Sequence, residues 1–123
     1  MTERPHVVFV DDEAQLLTGL RRALRDKREA WDMSFATGAE QALEVLATKP
    51  CAVLVSDYRM PGMDGGQLLR VVRDQYPDTS RMILSGHTDK ADLAEAIELA
   101  HHFMNKPCAT DELVEAVHRL LET

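Results

Sequence analysis

The chain has 123 residues and a formal net charge of −7 at pH 7, with 45% hydrophobic and 28% charged residues. This length fits a single domain over residues 1–123, and the composition argues against a disordered or fibrous chain. The longest apolar run is too short to span a membrane, and the first residues lack the apolar region of a signal peptide. We therefore expect a cytoplasmic protein whose acidic balance disfavours nucleic acid and anionic membranes as partners.

Five short apolar runs alternate with longer segments of helical periodicity. The runs predict strands at residues 6–10, 31–36, 52–56, 81–84 and 102–104. In each intervening or final segment, apolar residues recur on one helical face: Leu17, Leu20 and Leu24; Ala39, Leu43 and Leu46; Leu68 and Val72; Leu93, Ile97 and Ala100; Leu113, Val117 and Leu120. The chain is therefore predicted to consist of five strand–helix units.

Residues typical of helix ends support these boundaries. Gly38 and Pro50 bracket the second predicted helix, and Thr88 or Asp89 can cap the fourth. Thr110 precedes two acidic residues, which predicts a cap and a favourable first turn for the fifth helix.

The alternation of strands and helices predicts a parallel sheet with helices on both faces. The first, third and fourth runs are continuously apolar, as in strands buried on both faces. The second run alternates polar and apolar residues, and the fifth is short, so both are predicted at the edges. This pattern favours a flavodoxin-like, doubly wound α/β fold, (βα)5, with a five-stranded parallel sheet in the order 2-1-3-4-5.

Polar residues follow four of the five predicted strands. In such a fold, ligands bind beyond the carboxyl ends of the strands, near the switch between the first and third. Each residue alone has an ordinary explanation as a helix cap, a turn residue or a solvated charge. Their convergence favours a functional site formed by Asp11, Asp12, Glu13, Asp57, Ser85 and Lys106.

The clustered carboxylates require a compensating partner. Two like charges about 4 Å apart repel by on the order of 4 kcal/mol at an effective dielectric constant near 20. Such a cluster takes up a proton or binds a cation, and an open set of oxygen ligands suits Mg²⁺. Mg²⁺ beside a lysine would accommodate a phosphoryl group, with one aspartate as the nucleophile that becomes an acyl phosphate.

The sequence resembles the receiver domain of two-component response regulators over essentially the whole chain. Four segments carry this resemblance: residues 8–13, 55–65, 84–86 and 103–107. The resemblance implies that Asp57 is the phosphoacceptor and that Asp12 binds Mg²⁺ directly. It also implies that Asp11 helps to place the ion and that Asp57 and the backbone carbonyl of Arg59 are further ligands.

The resemblance also implies roles on the fourth and fifth strands. Lys106 would pair with the phosphoryl oxygens, Ser85 would donate its hydroxyl to them, and Phe103 would be the coupled aromatic switch. The peptide bond between Lys106 and Pro107 would be cis. Phe103 replaces the tyrosine that is frequent in the family, and the usual Gly-Ala turn before this strand is absent.

The function implied is that of a phosphoacceptor signalling domain, not a separate enzyme. A sensor histidine kinase or phosphotransferase would phosphorylate Asp57 in a two-component phosphorelay. The surface of the fourth helix, fifth strand and fifth helix would then control an output domain or partner. Arg59 and His87 would flank the phosphoryl group and tune its hydrolysis.

Three alternative functions fit the sequence less well. A haloacid-dehalogenase-like phosphatase also forms an aspartyl phosphate, but it needs an acid two residues after its nucleophile, where this chain has Arg59. A flavodoxin needs a phosphate-binding loop rich in Ser, Thr and Gly after the first strand. This chain has Asp11, Asp12 and Glu13 there, which would repel a phosphate that lacks an intervening cation. A receiver-like domain that is never phosphorylated is least favoured, because the acids, the hydroxyl and the lysine are all present.

Two further clusters have simpler interpretations. The basic residues Arg21, Arg22, Arg25, Lys27 and Arg28 are predicted on the first helix, as a solvated face near a docking surface for partner kinases. A transition-metal site at His101 and His102, with His87 or Cys108, is disfavoured because adjacent strand residues point to opposite faces.

Overall fold

The structure is a computed structural model that describes residues 4–86 and 90–122. Strands and helices alternate along the chain in the order β1 His6–Val10, α1 Ala14–Ala23, β2 Asp32–Ala36, α2 Ala39–Thr48, β3 Val53–Asp57, α3 Gly65–Gln75, β4 Ser80–Ser85, α4 Lys90–Leu99, β5 His102–Asn105 and α5 Thr110–Leu121. A single 3-10 turn, Arg25–Lys27, follows α1. Thr88 and Asp89, the predicted caps of α4, lie outside the described residues.

The five strands form one parallel sheet in the order β2-β1-β3-β4-β5. This arrangement confirms the predicted order and the edge positions of β2 and β5. The register places Val10 opposite Ser56, Asp57 opposite Leu84, and Ser85 opposite Asn105. The carboxyl ends of β1, β3, β4 and β5 therefore lie side by side, and Asp57 and Ser85 are the last residues of their strands.

Each face of the sheet is covered by a separate apolar core. Val8 and Val10 of β1 point toward α2, α3 and α4, where they pack in a cluster that includes Leu46 and Leu68. Phe9, between them on the same strand, points toward α1 and α5 in a second cluster. The two clusters together bury β1 and β3 completely, which explains their continuously apolar sequences.

Two helix predictions were wrong in detail. Ile97 of α4 is 39% exposed, while Ala96 beside it is buried against the α2–α4 side of the sheet. The buried face of α4 follows Leu93, Ala96 and Leu99 at a spacing of three residues. At α5 the capping position is Ala109 instead of Thr110, and the Glu112 carboxylate accepts the Ala109 backbone N–H at 3.3 Å.

The start of α3 is fixed tightly against the end of β3. Asp64 accepts a hydrogen bond from the Gln67 backbone, and the Gln67 side chain accepts one from the Asp64 backbone, forming a capping box. Gly65 donates its N–H to the Tyr58 carbonyl at 2.7 Å. A β-carbon on Gly65 would lie 2.8 Å from the Tyr58 α-carbon, so only glycine allows this close approach.

Candidate functional site

Lys106 lies between two carboxylates at the carboxyl edge of the sheet. Its ammonium nitrogen is 3.1 Å from Asp11 Oδ2 and 3.3 Å from Asp57 Oδ1. These residues come from the ends of three strands, and the parallel register brings them together. The Lys106 backbone N–H also donates to the Ser85 carbonyl at 2.9 Å, which extends the pairing of β5 with β4 beyond Asn105.

Three carboxylates form a cluster beside this ammonium group. One oxygen from each of Asp11, Asp12 and Asp57 lies within 4.8 Å of the others. Asp11 and Asp57 are each only 8% exposed, whereas Asp12 faces solvent. Asp11 Oδ1 accepts the Glu13 backbone N–H at 2.9 Å, so both Asp11 oxygens have fixed partners. The cluster is therefore open on the Asp12 side.

Burial and neighbouring charges oppose each other at Asp57. Burial raises the pKa of the Asp57 carboxyl, the Lys106 ammonium lowers it, and the charges of Asp11 and Asp12 raise it; the net direction is upward. Burial also lowers the pKa of Lys106, but its hydrogen bond to Asp11 and the Asp57 charge outweigh this and raise it above its ordinary value. At Asp57 the Lys106 ammonium therefore does not outweigh the combined effect of burial and the two neighbouring carboxylates.

The chemistry of these donors fits a hard divalent cation. Carboxylate oxygens that are close together and partly open to solvent match the preference of Mg²⁺ for oxygen ligands and retained water. A cavity of about 530 Å³ borders the exposed side of this cluster and is lined by Asp12, Arg59 and Asp64 among others. The predicted metal residues Asp12 and Arg59 therefore face the same space.

Ser85 and Phe103 occupy the neighbouring strands β4 and β5. Ser85 is 1% exposed and forms the last pair between β4 and β5, opposite Asn105. Phe103 is half-buried, aligned with Ile83, and packs on the core formed by α2, α3 and α4. The Lys106–Pro107 peptide bond is cis. His87, the predicted neighbour of the phosphoryl group, lies outside the described residues.

A groove of about 870 Å³ connects the polar cluster to an apolar surface on α1 and α5. Asp11, Asp57 and Lys106 are at its polar part, while Leu16 and Leu113 contribute apolar side chains. Leu16 is 45% exposed, which is unusual for a large apolar residue in this chain. The groove can accommodate an apolar helical surface next to the carboxylates.

The basic cluster lies only partly on α1: Arg21 and Arg22 are in its last turn, as predicted. Helix α1 begins beside Asp11 and ends at Ala23, and Arg25 and Arg28 follow it in the turn region. Since ten helical residues span about 15 Å, the arginines lie at the opposite end from the carboxylates. Whether this end of α1 lies near a docking surface for partner kinases stays a prediction. The sequence also missed Arg4, which joins it from the segment before β1.

His101 also has a local structural contact. Its Nδ1 accepts the backbone N–H of Arg81 at 2.9 Å, and the Arg81 Nε donates to the Leu99 carbonyl at 2.7 Å. These contacts lie near the amino end of β5, away from the carboxylate cluster.

Gly65 positions α3 against the end of β3, and the sequence did not predict this role, although Gly65 ends the matching segment 55–65.

Comparisons with known proteins agree with this geometry. Residues 7–118 match the family model for the response regulator receiver domain. The DNA-binding transcriptional regulator NtrC of Escherichia coli is 37% identical over 120 residues, covering 97% of this chain and 25% of that protein. The hydrogenase transcriptional regulatory protein HoxA of Cupriavidus necator is 32% identical over 118 residues, covering 94% and 24%. The chain thus spans about a quarter of these relatives' length.

Solved structures show the same similarity. The signal receiver domain of an HD domain-containing protein from Pseudomonas fluorescens superposes with a TM-score of 0.91 at 33% identity, covering 98% of this chain and 96% of that chain. A response regulator receiver protein from Pseudomonas putida gives a TM-score of 0.87 at 29% identity, covering 97% and 99%. Within the described residues, no helix is long and apolar enough to cross a membrane.

Proposed function

The chain belongs to the response regulator receiver domain family, and on this premise we propose that Asp57 accepts the phosphoryl group. Membership gives the domain a phosphoacceptor signalling role in two-component transduction, and not that of a haloacid-dehalogenase-like phosphatase. Arg59, where such a phosphatase needs its second acid, agrees with this distinction.

One observation carries the assignment of Asp57. Its carboxylate ends a buried central strand, lies within 4.8 Å of Asp11 and Asp12, and is 3.3 Å from the Lys106 ammonium. A nucleophile in this position has cationic support on one side and space for a metal on the other. Asp11, by contrast, already uses one oxygen to bind the Glu13 backbone and the other to bind Lys106.

The phosphoryl transfer follows from these groups. An oxygen of the ionised Asp57 carboxylate attacks the phosphorus of a phosphohistidine, the phosphorus–nitrogen bond breaks, and the imidazole nitrogen keeps the bonding electron pair. Asp57 then carries an acyl phosphate. Lys106, already beside Asp57, can pair with the phosphoryl oxygens, and the Ser85 hydroxyl can donate to another.

Asp11, Asp12, Asp57 and the Arg59 backbone carbonyl are proposed to hold Mg²⁺. When bound, the ion supplies charge neutralisation for the phosphoryl oxygens. The protein side chains hold the acceptor in place, and the buried position of Asp57 limits access of water to the acyl group. Arg59 and His87 are proposed to tune hydrolysis of the acyl phosphate.

Partners and output are also proposals. We propose that residues 1–123 form one cytoplasmic receiver domain that takes part only in its own phosphorylation and dephosphorylation. The donor is a sensor histidine kinase or phosphotransferase, seated on the groove beside Leu16. The surface of α4, β5 and α5, which carries the exposed Ile97 and the half-buried Phe103, passes the signal to an output domain or partner protein.

Intact-mass spectrometry tests the acceptor. Incubation with acetyl phosphate and Mg²⁺ should add one phosphoryl group to the wild-type chain and none to Asp57→Asn. The matched control is Asp78→Asn, which removes an exposed carboxylate between α3 and β4 and should leave phosphorylation unchanged. Equal modification of wild type and Asp57→Asn would refute the assignment.

A further inference from the structure

A third cavity, of about 410 Å³, lies between the end of α1 and β2, remote from the carboxylate cluster. Its lining includes five arginines: Arg4, Arg21, Arg22, Arg25 and Arg28. Four of them lie within residues 21–28, and the fold brings Arg4 to them from the segment before β1. Nothing in the phosphoacceptor function uses this end of the molecule.

The protein offsets only part of the positive charge of this cavity, because the Arg4 charge interacts with Asp32. Asp32 is the one carboxylate in its lining, and it forms an ion pair with Lys49, which is not part of the lining. Among the described residues, no carboxylate lies within ion-pair distance of any of the five guanidinium groups. In a chain of net charge −7, five clustered guanidinium groups that face one carboxylate indicate an anionic ligand.

Part of the cavity is held in place before any ligand binds. The Arg21 guanidinium lies 4.7 Å from the centroid of the Phe35 ring, and Arg4 donates a hydrogen bond to the Arg28 carbonyl. Phe35 in turn stacks on the buried Phe9 at 5.3 Å. These contacts reduce the conformational entropy that binding would otherwise cost.

The cavity also has an apolar part. Met33 and Phe35 are half-buried, and the buried Trp31 completes this wall. We propose that the cavity binds a nucleoside di- or triphosphate, with the phosphates on the arginines and the base against the apolar wall at Met33. Guanidinium groups match phosphate oxygens in bidentate geometry, and the volume is within the range of small-ligand sites.

The surroundings favour a small anion over a long one. Asp26 and Glu29 are exposed and alternate with the arginines along the chain, but they do not line the cavity. Their charges would repel an extended polyanion that ran beyond the concavity, such as nucleic acid or an acidic peptide. A nucleotide confined to the cavity avoids them.

Trp31 provides a site-specific reporter because it is the only tryptophan of the chain. ADP and ATP should change its fluorescence saturably in the presence of EDTA, which prevents metal-mediated binding at the carboxylates. The variant Arg22→Gln/Arg25→Gln should raise Kd about tenfold, since it removes two of the phosphate-binding cations. Isothermal titration calorimetry should give the same Kd without relying on fluorescence.

The control Arg70→Gln/Arg73→Gln removes two exposed arginines from α3 and should leave Kd unchanged. Both double variants replace surface residues, and thermal unfolding will verify that each is folded. Adenosine and inorganic phosphate should each bind more weakly than ADP. The proposal is overturned if ADP does not saturate, if both double variants lose affinity equally, or if an oligonucleotide or polyglutamate binds more tightly than ADP.

Discussion

A β-carbon added to Gly65 would lie 2.5 Å from the carbonyl oxygen of Asp57. This oxygen belongs to the backbone at the end of β3 and cannot move aside without displacing the proposed acceptor. The first turn of α3 therefore rests directly on the strand that carries Asp57. The side-chain volume of one residue thus determines how far the helix stands from the site.

Gly65→Ala should lower the free energy of unfolding by about 1–3 kcal/mol, because the added methyl overpacks two rigid backbone segments. Urea denaturation of wild type and Gly65→Ala measures the difference in the free energy of unfolding. Gly19→Ala is the matched control: no atom lies within 4 Å of its added β-carbon, and α1 should gain up to about 1 kcal/mol from the better helix former. Equal stability changes at the two positions would contradict the close approach at Gly65.

Removing the solvent-exposed Asp12 carboxylate should weaken the binding of Mg²⁺. Mg²⁺ should raise the Tm of the wild-type domain, since a ligand bound only to the folded state stabilises it by mass action. Asp12→Ala should lose most of that increase, because Asp12 is the exposed member of the cluster. The control Asp78→Ala should keep it. A normal Mg²⁺ response in Asp12→Ala would remove Asp12 from the ligands.

The hydroxyl of Ser85 should affect the response more than the phosphorylation itself. A shift from 1:99 to 99:1 between two conformations requires about 5.5 kcal/mol, whereas one neutral hydrogen bond contributes about 1 kcal/mol. Ser85→Ala should therefore still accept phosphate but show smaller amide shift changes at residues 93–97 and Phe103 with beryllofluoride. Responses identical to wild type would make Lys106 the better candidate for coupling.

His101 should make stability depend on pH. Burial lowers the pKa of its imidazole, the Arg81 charge lowers it further, and its Nδ1 must be unprotonated to accept the Arg81 N–H. The unfolded chain therefore binds this proton more readily than the folded one. The stabilisation is complete above the ordinary pKa of 6.5 and is lost as the pH falls through the lower folded value.

Urea denaturation of wild type and His101→Gln at several pH values measures this effect. The stability advantage of wild type over His101→Gln should shrink on acidification. An advantage of wild type over His101→Gln that does not change with pH would mean that His101 does not titrate with folding.

The strand order was predictable because a strand that is buried on both faces has an uninterrupted run of apolar residues. Such runs occur at residues 7–10 and 53–55, whereas polar and apolar residues alternate in β2. The same logic placed the polar residues at the strand ends, although β3 continues one residue further, to Asp57, than the apolar run. Strand ends are set by pairing with neighbours, which a linear pattern does not contain.

The sequence did not predict contacts between residues that are far apart in the chain. Arg4 reaches the basic cavity from the segment before β1, and His101 contacts the backbone of Arg81 on another strand. Helix α4 shows a different limit. Its buried face includes Ala96, whose small side chain gives only a weak apolar signal in the sequence. The prediction therefore assigned the larger Ile97 to the buried face, although Ile97 is exposed.

The strand β5 is four residues long and pairs on one side only, with β4. Edge segments of this kind open locally at a lower free energy than the whole domain unfolds. Each opening would withdraw the Lys106 ammonium and leave Asp11 and Asp57 in place on the buried strands β1 and β3. The time-averaged electrostatic potential at the acceptor therefore depends on the opening equilibrium of a single edge strand, and amide hydrogen exchange in β5 reports on it directly.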